Sequence, residues 1–468
     1  MRSCVLFVGI AACAAALGPG AVRLRAQAPD QPANIFQRSV PSPQAPGPDV
    51  LPLTLTDAVH RGLTQNLGII VEQGRVNEAN ATRLRQLSEL LPHLSADVRQ
   101  TDQKVNLAAF GFTGFPGIPE VIGPFGVFDA RMALSAPIFD AAALGDWRAS
   151  RSAHQAEVHT AAQARETVAL IVATIYLDAV TSRARVDAAR SEVSTSEALA
   201  QQAEDQKNAG VIAGIDLLRQ QVQLQAARAR LLDAQTTFDN RVLDLARAIG
   251  LPPTQRIDLV DAPNDAAAAD VSVETLMQQA AAREDLKAAE ARLAAAHAHR
   301  AAATGASLPS AHVNADVGAL GSSVSSARET FAVSASVHVP VFDGGSARSR
   351  RQLADAEVHQ RESELADLRA GVGFEIAAAA NVMRAAEARV QVARNGESLA
   401  RQQLEQARDR FQAGVSSTIE LVQAEDAVAT AVEQTIASLH ARALARAGLA
   451  RATGQVEAQL GNLVGGSR

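Results

Sequence analysis

Asn208-Ala209-Gly210-Val211 comes back 204 residues later as Gln412-Ala413-Gly414-Val415. An acidic residue stands six places past each glycine, Asp216 after Gly210 and Glu420 after Gly414. Further out, Ala136-Pro137-Ile138-Phe139-Asp140 returns as Val339-Pro340-Val341-Phe342-Asp343, and Ala248-Ile249-Gly250 as Ala452-Thr453-Gly454. Every offset is 203 or 204, so one unit is written twice, far longer than the period of a solenoid. Each glycine follows a long polar, alanine-rich run and precedes another. Such a glycine is a helix C′ residue in the left-handed conformation, where a long helix stops and turns back. The chain is organised around two helical hairpin tips.

Composition supports long helices. Aromatics make up 3% of the 468 residues, with one Trp and one Tyr, which suits helices packed through small side chains. A net charge of −6 and a pI near 6.0 leave no electrostatic footprint for nucleic acid. The ten His are scattered, and His297 and His299, two apart on a helix, face different ways. No phosphate-cradling loop, nucleophile elbow or zinc-binding helix motif occurs. We therefore expect no enzyme, no metal site and no cofactor.

Residues 1–28 read as an export signal: Arg2, the apolar run Cys4–Leu17, then Ala26-Gln27-Ala28 as a small-x-small cleavage site. The rival reading takes Ile10-Ala11-Ala12-Cys13 as a lipobox, with Cys13 acylated. Cleavage after Ala28 would remove both cysteines and exclude disulfides. A Pro-rich leader covers 29–52. No later run of 18 apolar residues exists; Val168–Val180 is the best and carries Asp178. A membrane crossing must then use strands.

The first repeat is expected over 53–251. A helix runs from about Leu53 to Leu90, with Thr54 or Thr56 as N-cap and Pro92 ending it. Leu94, Ala96 and Val98 then alternate with polar residues, and the pattern fades after Arg99. Residues 107–126 form a Gly, Pro and Phe loop, either packed over a sheet end or forming an aromatic belt at a membrane surface. In the next strand Phe128, Ala130, Met132, Leu134, Ala136 and Ile138 share one face. A linker spans 252–271, and the second repeat 272–455 opens with a helix over about 273–303. Its strands place Ala311, Val313, Ala315 and Val317, then Phe331, Val333, Ala335, Val337, Val339 and Val341, on one face. A tail covers 456–468. Alternation over about ten residues fits an outer-membrane barrel, apolar to lipid, and equally a soluble antiparallel sheet with one buried face; the export signal favours the barrel.

Long helices are expected over about 141–208 and 346–412, each roughly 100 Å at ~1.5 Å per residue. Val172, Ala179, Val186, Val193 and Ala200 recur every seven residues, as do Ile376, Met383 and Val390; that period means supercoiled packing. Return helices follow over about 215–249 and 418–453. Four strands per chain cannot close a barrel, for which about eight is the practical minimum. A barrel must therefore draw strands from several chains.

With these features in order and in duplicate, the chain resembles the TolC-like outer-membrane efflux proteins from about Leu53 to Gln455. The resemblance rests on Pro137–Asp140 and Pro340–Asp343, on Arg410-Phe411-x-Ala413-Gly414-Val415 with Glu420 beyond, and on the terminal Ala-x-Gly helix ends. It implies a mainly α fold with a small membrane β-barrel. The barrel would be a trimeric α/β structure with twelve strands and long coiled-coil helices reaching into the periplasm. It implies a passive exit duct of a tripartite efflux or type I secretion system, gated at the tips. Its partners would be two further copies, a periplasmic adaptor, an inner-membrane pump of RND, ABC or MFS type, and outer-membrane lipid. By the same resemblance Gly210, Val211, Gly414 and Val415 are tips that an adaptor contacts, and Asp216 and Glu420 belong to a periplasmic gate. Gln423 stands where some members have a second acid, and Ser416 where some have an Arg that clasps the first hairpin. Read without the family, Asp216 and Glu420 are first-turn acids favoured by the helix dipole. The competing function is a periplasmic coiled-coil adaptor or a structural protein of an envelope complex; an adaptor without a membrane anchor would need no detergent for extraction, whereas a channel would.

Overall fold

The structure is a computed structural model that describes residues 35–40, 50–111, 117, 119–263, 272–413, 415 and 417–465. The segment expected to be an export signal, with Cys13, most of the expected leader, part of the Phe-rich segment, and Gly414 and Ser416 lie outside the described residues.

The first repeat runs β1 (Val50–Leu53), α1 (Leu55–Gln65), α2 (Leu67–Ser88), β2 (His93–Asn106), β3 (Val121–Phe139), α3 (Ala141–Asn208) and α4 (Gly214–Ala248). Two short strands follow, β4 (Arg256–Leu259) and β5 (Ala262–Pro263). The second repeat runs α5 (Val273–Ala280), α6 (Glu284–Gly305), β6 (Ser310–Gly321), β7 (Arg328–His338), α7 (Ser346–Gln412) and α8 (Thr418–Thr453), with β8 (Val464–Gly465) after it. The 68 and 67 residues of α3 and α7 make each roughly 100 Å long at ~1.5 Å per residue.

Several elements differ from expectation. The first helix is broken at Asn66, whose backbone is extended and whose N–H donates to the Gly62 carbonyl, ending α1. Its side chain then accepts from Gly68 N at 2.8 Å, starting α2, and donates to the Phe36 carbonyl at 2.7 Å. Asn offers the backbone this local alternative to a continuous helix. The helix expected over 273–303 is likewise two, α5 and α6. The expected linker and tail contain strands: β1 pairs in parallel with β4, and β5 antiparallel with β8. Residues 107–126 are not all loop, because β3 begins at Val121 and pairs Ile122 with Val105 and Val121 with Asn106. Ladder hydrogen bonds carry β2 past the point where its alternation fades. At the other end β7 stops at His338, short of Val339 and Val341, whereas β3 absorbs Pro137 with a register shift and continues to Phe139.

The four long strands form one antiparallel sheet in the order β2-β3-β6-β7. Its register brings the apolar positions onto one face. Leu94, Leu134, Ala315 and Val333 form one row across the sheet, and Ala96, Met132, Val317 and Phe331 another. The opposite face carries His93, Ser135, Asn314 and Ser334 in one row. Arg131 sits on it too, 2.6 Å from Asp129 and 3.7 Å from Asp316. The apolar face is uncovered: Leu94, Val98, Phe331, Val333 and Val337 are all exposed.

The main core lies midway along α3, where Val168, Val172, Tyr176 and Val180 pack against Leu55 and Val59 of α1, Leu245 of α4 and Ala450 of α8. One 18-residue window of α3 is apolar enough to cross a bilayer, but over half of it is buried in the protein. Tyr176, fully buried, sets its hydroxyl 2.9 Å from Asp261 and 3.0 Å from the Leu53 carbonyl. Asp261 also accepts from Leu55 N at 2.7 Å, so one tyrosine ties β1 and α1 to the segment after β4. Burial, reinforced by the Asp261 carboxylate, pushes the Tyr176 hydroxyl pKa up. Arg283 does the same for the second repeat, reaching Asp285, Glu375 and the Ala452 carbonyl at the end of α8.

Candidate functional site

The first tip closes as the glycine requires. Gly210 has φ +75°, donates to Lys207 O at 2.9 Å, and is followed by Val211 donating to Gln206 O at 2.8 Å. That pair of bonds is a Schellman ending, which satisfies two orphan carbonyls of α3. A Cβ at Gly210 would meet nothing within 4 Å, so the need for glycine is conformational rather than steric. At the second tip Val415 N donates to Arg410 O at 3.0 Å, the same six-to-one bond 204 residues on. Val211 and Val415 are both exposed.

The acids differ more than the backbones do. Asp216 lies in the first turn of α4 behind Ala213, an N-cap with no side-chain bond, and its carboxylate pairs with Arg219 on the same helix at 3.0 Å. Glu420 lies in the first turn of α8, and its carboxylate meets Arg410, at the end of α7, at 3.1 Å. The first contact stays within one turn of one helix; the second spans the hairpin. Beneath the second tip Phe411 and Leu421 pack with Leu199 of α3, Ala407 and Ala424, joining the two hairpins. Gln423 is exposed and borders a groove of about 360 Å³ between α4 and α8, floored by Ile215, Leu218, Val222, Ile419 and Val422. Higher up, Gln223 of α4 donates to Asp426 of α8 at 2.7 Å.

Sequence reasoning placed Arg410 only in a motif and gave it no partner. The available signal was a base in the last turn of one helix and an acid in the first turn of the next. It missed Glu425, buried between the hairpins, because an acid on a long polar helix looks solvated. No group of three or more His, Cys, Asp or Glu that could hold a metal occurs among the described residues.

A profile of the outer membrane efflux protein family matches residues 62–251 and 276–455. The chain belongs to that family. Among its relatives is protein CyaE of Bordetella pertussis, 29% identical over 342 residues, 69% of this chain and 71% of that protein. Another is the pyoverdine export outer membrane protein OpmQ of Pseudomonas putida, 28% identical over 295 residues. That match takes in 61% of this chain and 60% of OpmQ, so it spans less than two thirds of that relative. The fold is that of the outer-membrane channel OprN, with TM-score 0.73 at 20% identity over 86% of this chain and 90% of OprN. The mostly helical architecture with a minor sheet is thus the efflux-channel fold, and the family's members and structural neighbours are channels rather than enzymes.

Proposed function

We propose that this efflux-family chain is the outer-membrane exit duct of a tripartite efflux or type I secretion system. The observation that carries the reading is the sheet with two unpaired edges. Among the described residues β2 pairs only with β3, and β7 only with β6, while one face is apolar and exposed. Unpaired edges cannot sit in lipid, where every backbone polar group needs a partner. Joining β7 of one copy to β2 of the next removes them, and three copies give a twelve-strand barrel. The helices supply matching evidence. Ile215, Leu218, Val222, Leu232 and Leu243 form an uncovered stripe on α4, and Phe374, Val382, Val392 and Leu399 stay exposed on α7. Stripes at helix spacing that a single chain leaves bare are suited to neighbouring copies.

In this reading the long helices line a periplasmic tunnel, and the tips Gly210, Val211, Gly414 and Val415 meet a periplasmic adaptor. The adaptor in turn serves an inner-membrane pump of RND, ABC or MFS type. Asp216 and Glu420 form the gate. Threefold symmetry would bring three Glu420 carboxylates around one entrance, attracting cations, but each already faces Arg410, which reduces the field while the tip stays closed. Relatives named for export, such as OpmQ, are consistent with a small exported solute without naming this chain's own. An adaptor or purely structural role fits less well with an apolar sheet face left bare.

The test is oligomeric state. Native mass spectrometry of the detergent-extracted protein should show a trimer, and a monodisperse monomer would refute the barrel. A companion test places arginine on either face mid-strand. Val333→Arg should impair assembly, since arginine on a barrel's lipid face at the midplane costs roughly 2–4 kcal/mol, while Ser334→Arg should assemble normally. Equal behaviour would mean the faces are assigned wrongly.

A further inference from the structure

A cavity of about 1130 Å³ separates the two hairpins, walled by α3, α7 and α8 with Arg230 and Ala234 of α4 at its side. Glu425 lines it from α8. The residue is 7% exposed, and both carboxyl oxygens are sealed from solvent with no hydrogen-bond partner among the described residues. Its neighbour Ala424 packs in the apolar cluster that joins Leu199 of α3 to Phe411 of α7. A carboxylate without a partner in such a place is costly, and a neutral carboxyl much less so.

The charges around it do not relieve that cost. On α7, Arg408 favours ionisation most, yet its own Nε is buried without a partner. Arg230 of α4 is engaged by Glu192 of α3, and Arg185 of α3 by Glu433 of α8. Arg401 of α7 is held by Glu397 on its own helix. Asp426 beside it and Glu192 across from it oppose a further negative charge, and Glu405 and Asp409 of α7 add acid to the same wall. Burial therefore dominates and pushes the Glu425 carboxyl up to about 7.

We infer that Glu425 makes the seam between the two hairpins proton-dependent: the seam packs shut around a neutral carboxyl, and ionisation of that carboxyl drives α8 away from α3. An acid whose packed-state pKa lies above its exposed value holds more protons when packed. The packed seam is then favoured at low pH, loses ground as pH climbs from the ordinary carboxylate range to about 7, and stays level beyond. The inference does not rest on the conduit reading, because its readout is access to the seam rather than transport.

Ser196 of α3 reports on that access. It is buried and lines the same cavity. Ser196→Cys in the full-length, detergent-extracted protein can be alkylated with a maleimide and followed by peptide mass, so that Cys4 and Cys13 do not interfere. The rate is compared with the same variant carrying Glu425→Gln, which cancels the thiol's own pH response. The ratio of the two rates should rise about tenfold from pH 6 to pH 8.5, the change expected for a carboxyl titrating near 7. A ratio unchanged with pH would overturn the inference. Should Glu425→Gln fail to assemble, Arg408→Gln and Asp426→Asn carry the test. Removing the cation should move the midpoint of the rise to higher pH, and removing the acid should move it lower. Midpoints that stay put, or move the other way, would also overturn it.

Discussion

At the first tip Asp216 holds an arginine three residues along its own helix, while at the second Glu420 holds one from across the turn. The bases of the tips differ in the same sense. One residue before the end of α7 stands buried Phe411; 204 residues earlier, at the same point of α3, stands exposed Lys207. Both turns use the same six-to-one backbone bond, so the duplication preserved the path of the chain and let the contacts diverge. The first tip is held by its turn and by half-buried Ile212, which packs against the edge of the same apolar cluster. The second is held by its turn, by an apolar plug against the other hairpin, and by an ion pair across the bend. The first hairpin should therefore be the easier of the two to displace.

Deleting the plug should show the largest difference. Phe411→Ala should destabilise the second tip by roughly 3–5 kcal/mol, as for other buried Phe→Ala changes. Lys207→Ala should stay within about 0.5 kcal/mol. Native-state proteolysis or hydrogen exchange at each turn would measure both, and equal responses would erase the contrast. Next in size is the turn itself. Gly210→Ala forces an L-residue to φ +75° and should cost roughly 1–2 kcal/mol. Gly214→Ala, inside the first turn of α4 with open space around it, should instead be neutral or slightly stabilising. A reversed order in thermal melts would show that the turn is not what holds the first tip.

The ion pairs come last. Both are partly exposed, so each is worth about 0.2–1 kcal/mol, and high salt should shrink the effect. Glu420→Gln should loosen the second tip by an amount near the top of that range, because its contact spans the bend. Asp216→Asn should sit near the bottom, because an i,i+3 pair closes nothing. In planar bilayers Glu420→Gln should also reduce cation selectivity with conductance intact. Selectivity that follows Asp216 instead would refute the ring of Glu420 carboxylates.

How much could be read beforehand varies with how local the cause is. The ends of α3, α4 and α8 fall where their glycines place them, because a left-handed glycine ends a helix whatever surrounds it. The shared face of Leu134, Val313, Val333 and their neighbours follows from a period of two, which any antiparallel register preserves. Asn66 was legible in principle, as a capping residue in mid-helix, but nothing local says whether such a residue caps or simply points to solvent. β1 and β4 lie about 200 residues apart in sequence, and their pairing leaves no periodic mark in segments of four residues.

The duplication, the lengths of the long helices, the hairpin tips and the apolar face of the sheet can all be read from residue order. All of these are written in periods and in single-residue backbone preferences. It took the packed helices to bring Arg410 to Glu420 across the bend, to bury Phe411 at the second tip while Ile212 at the first only borders the same cluster, and to shut Glu425 away from water. Those outcomes depend on which helix faces come within a few ångströms of one another. For an acid on a helix, the same residue is solvated or buried according to a neighbour more than 200 positions away, and no local pattern carries that information.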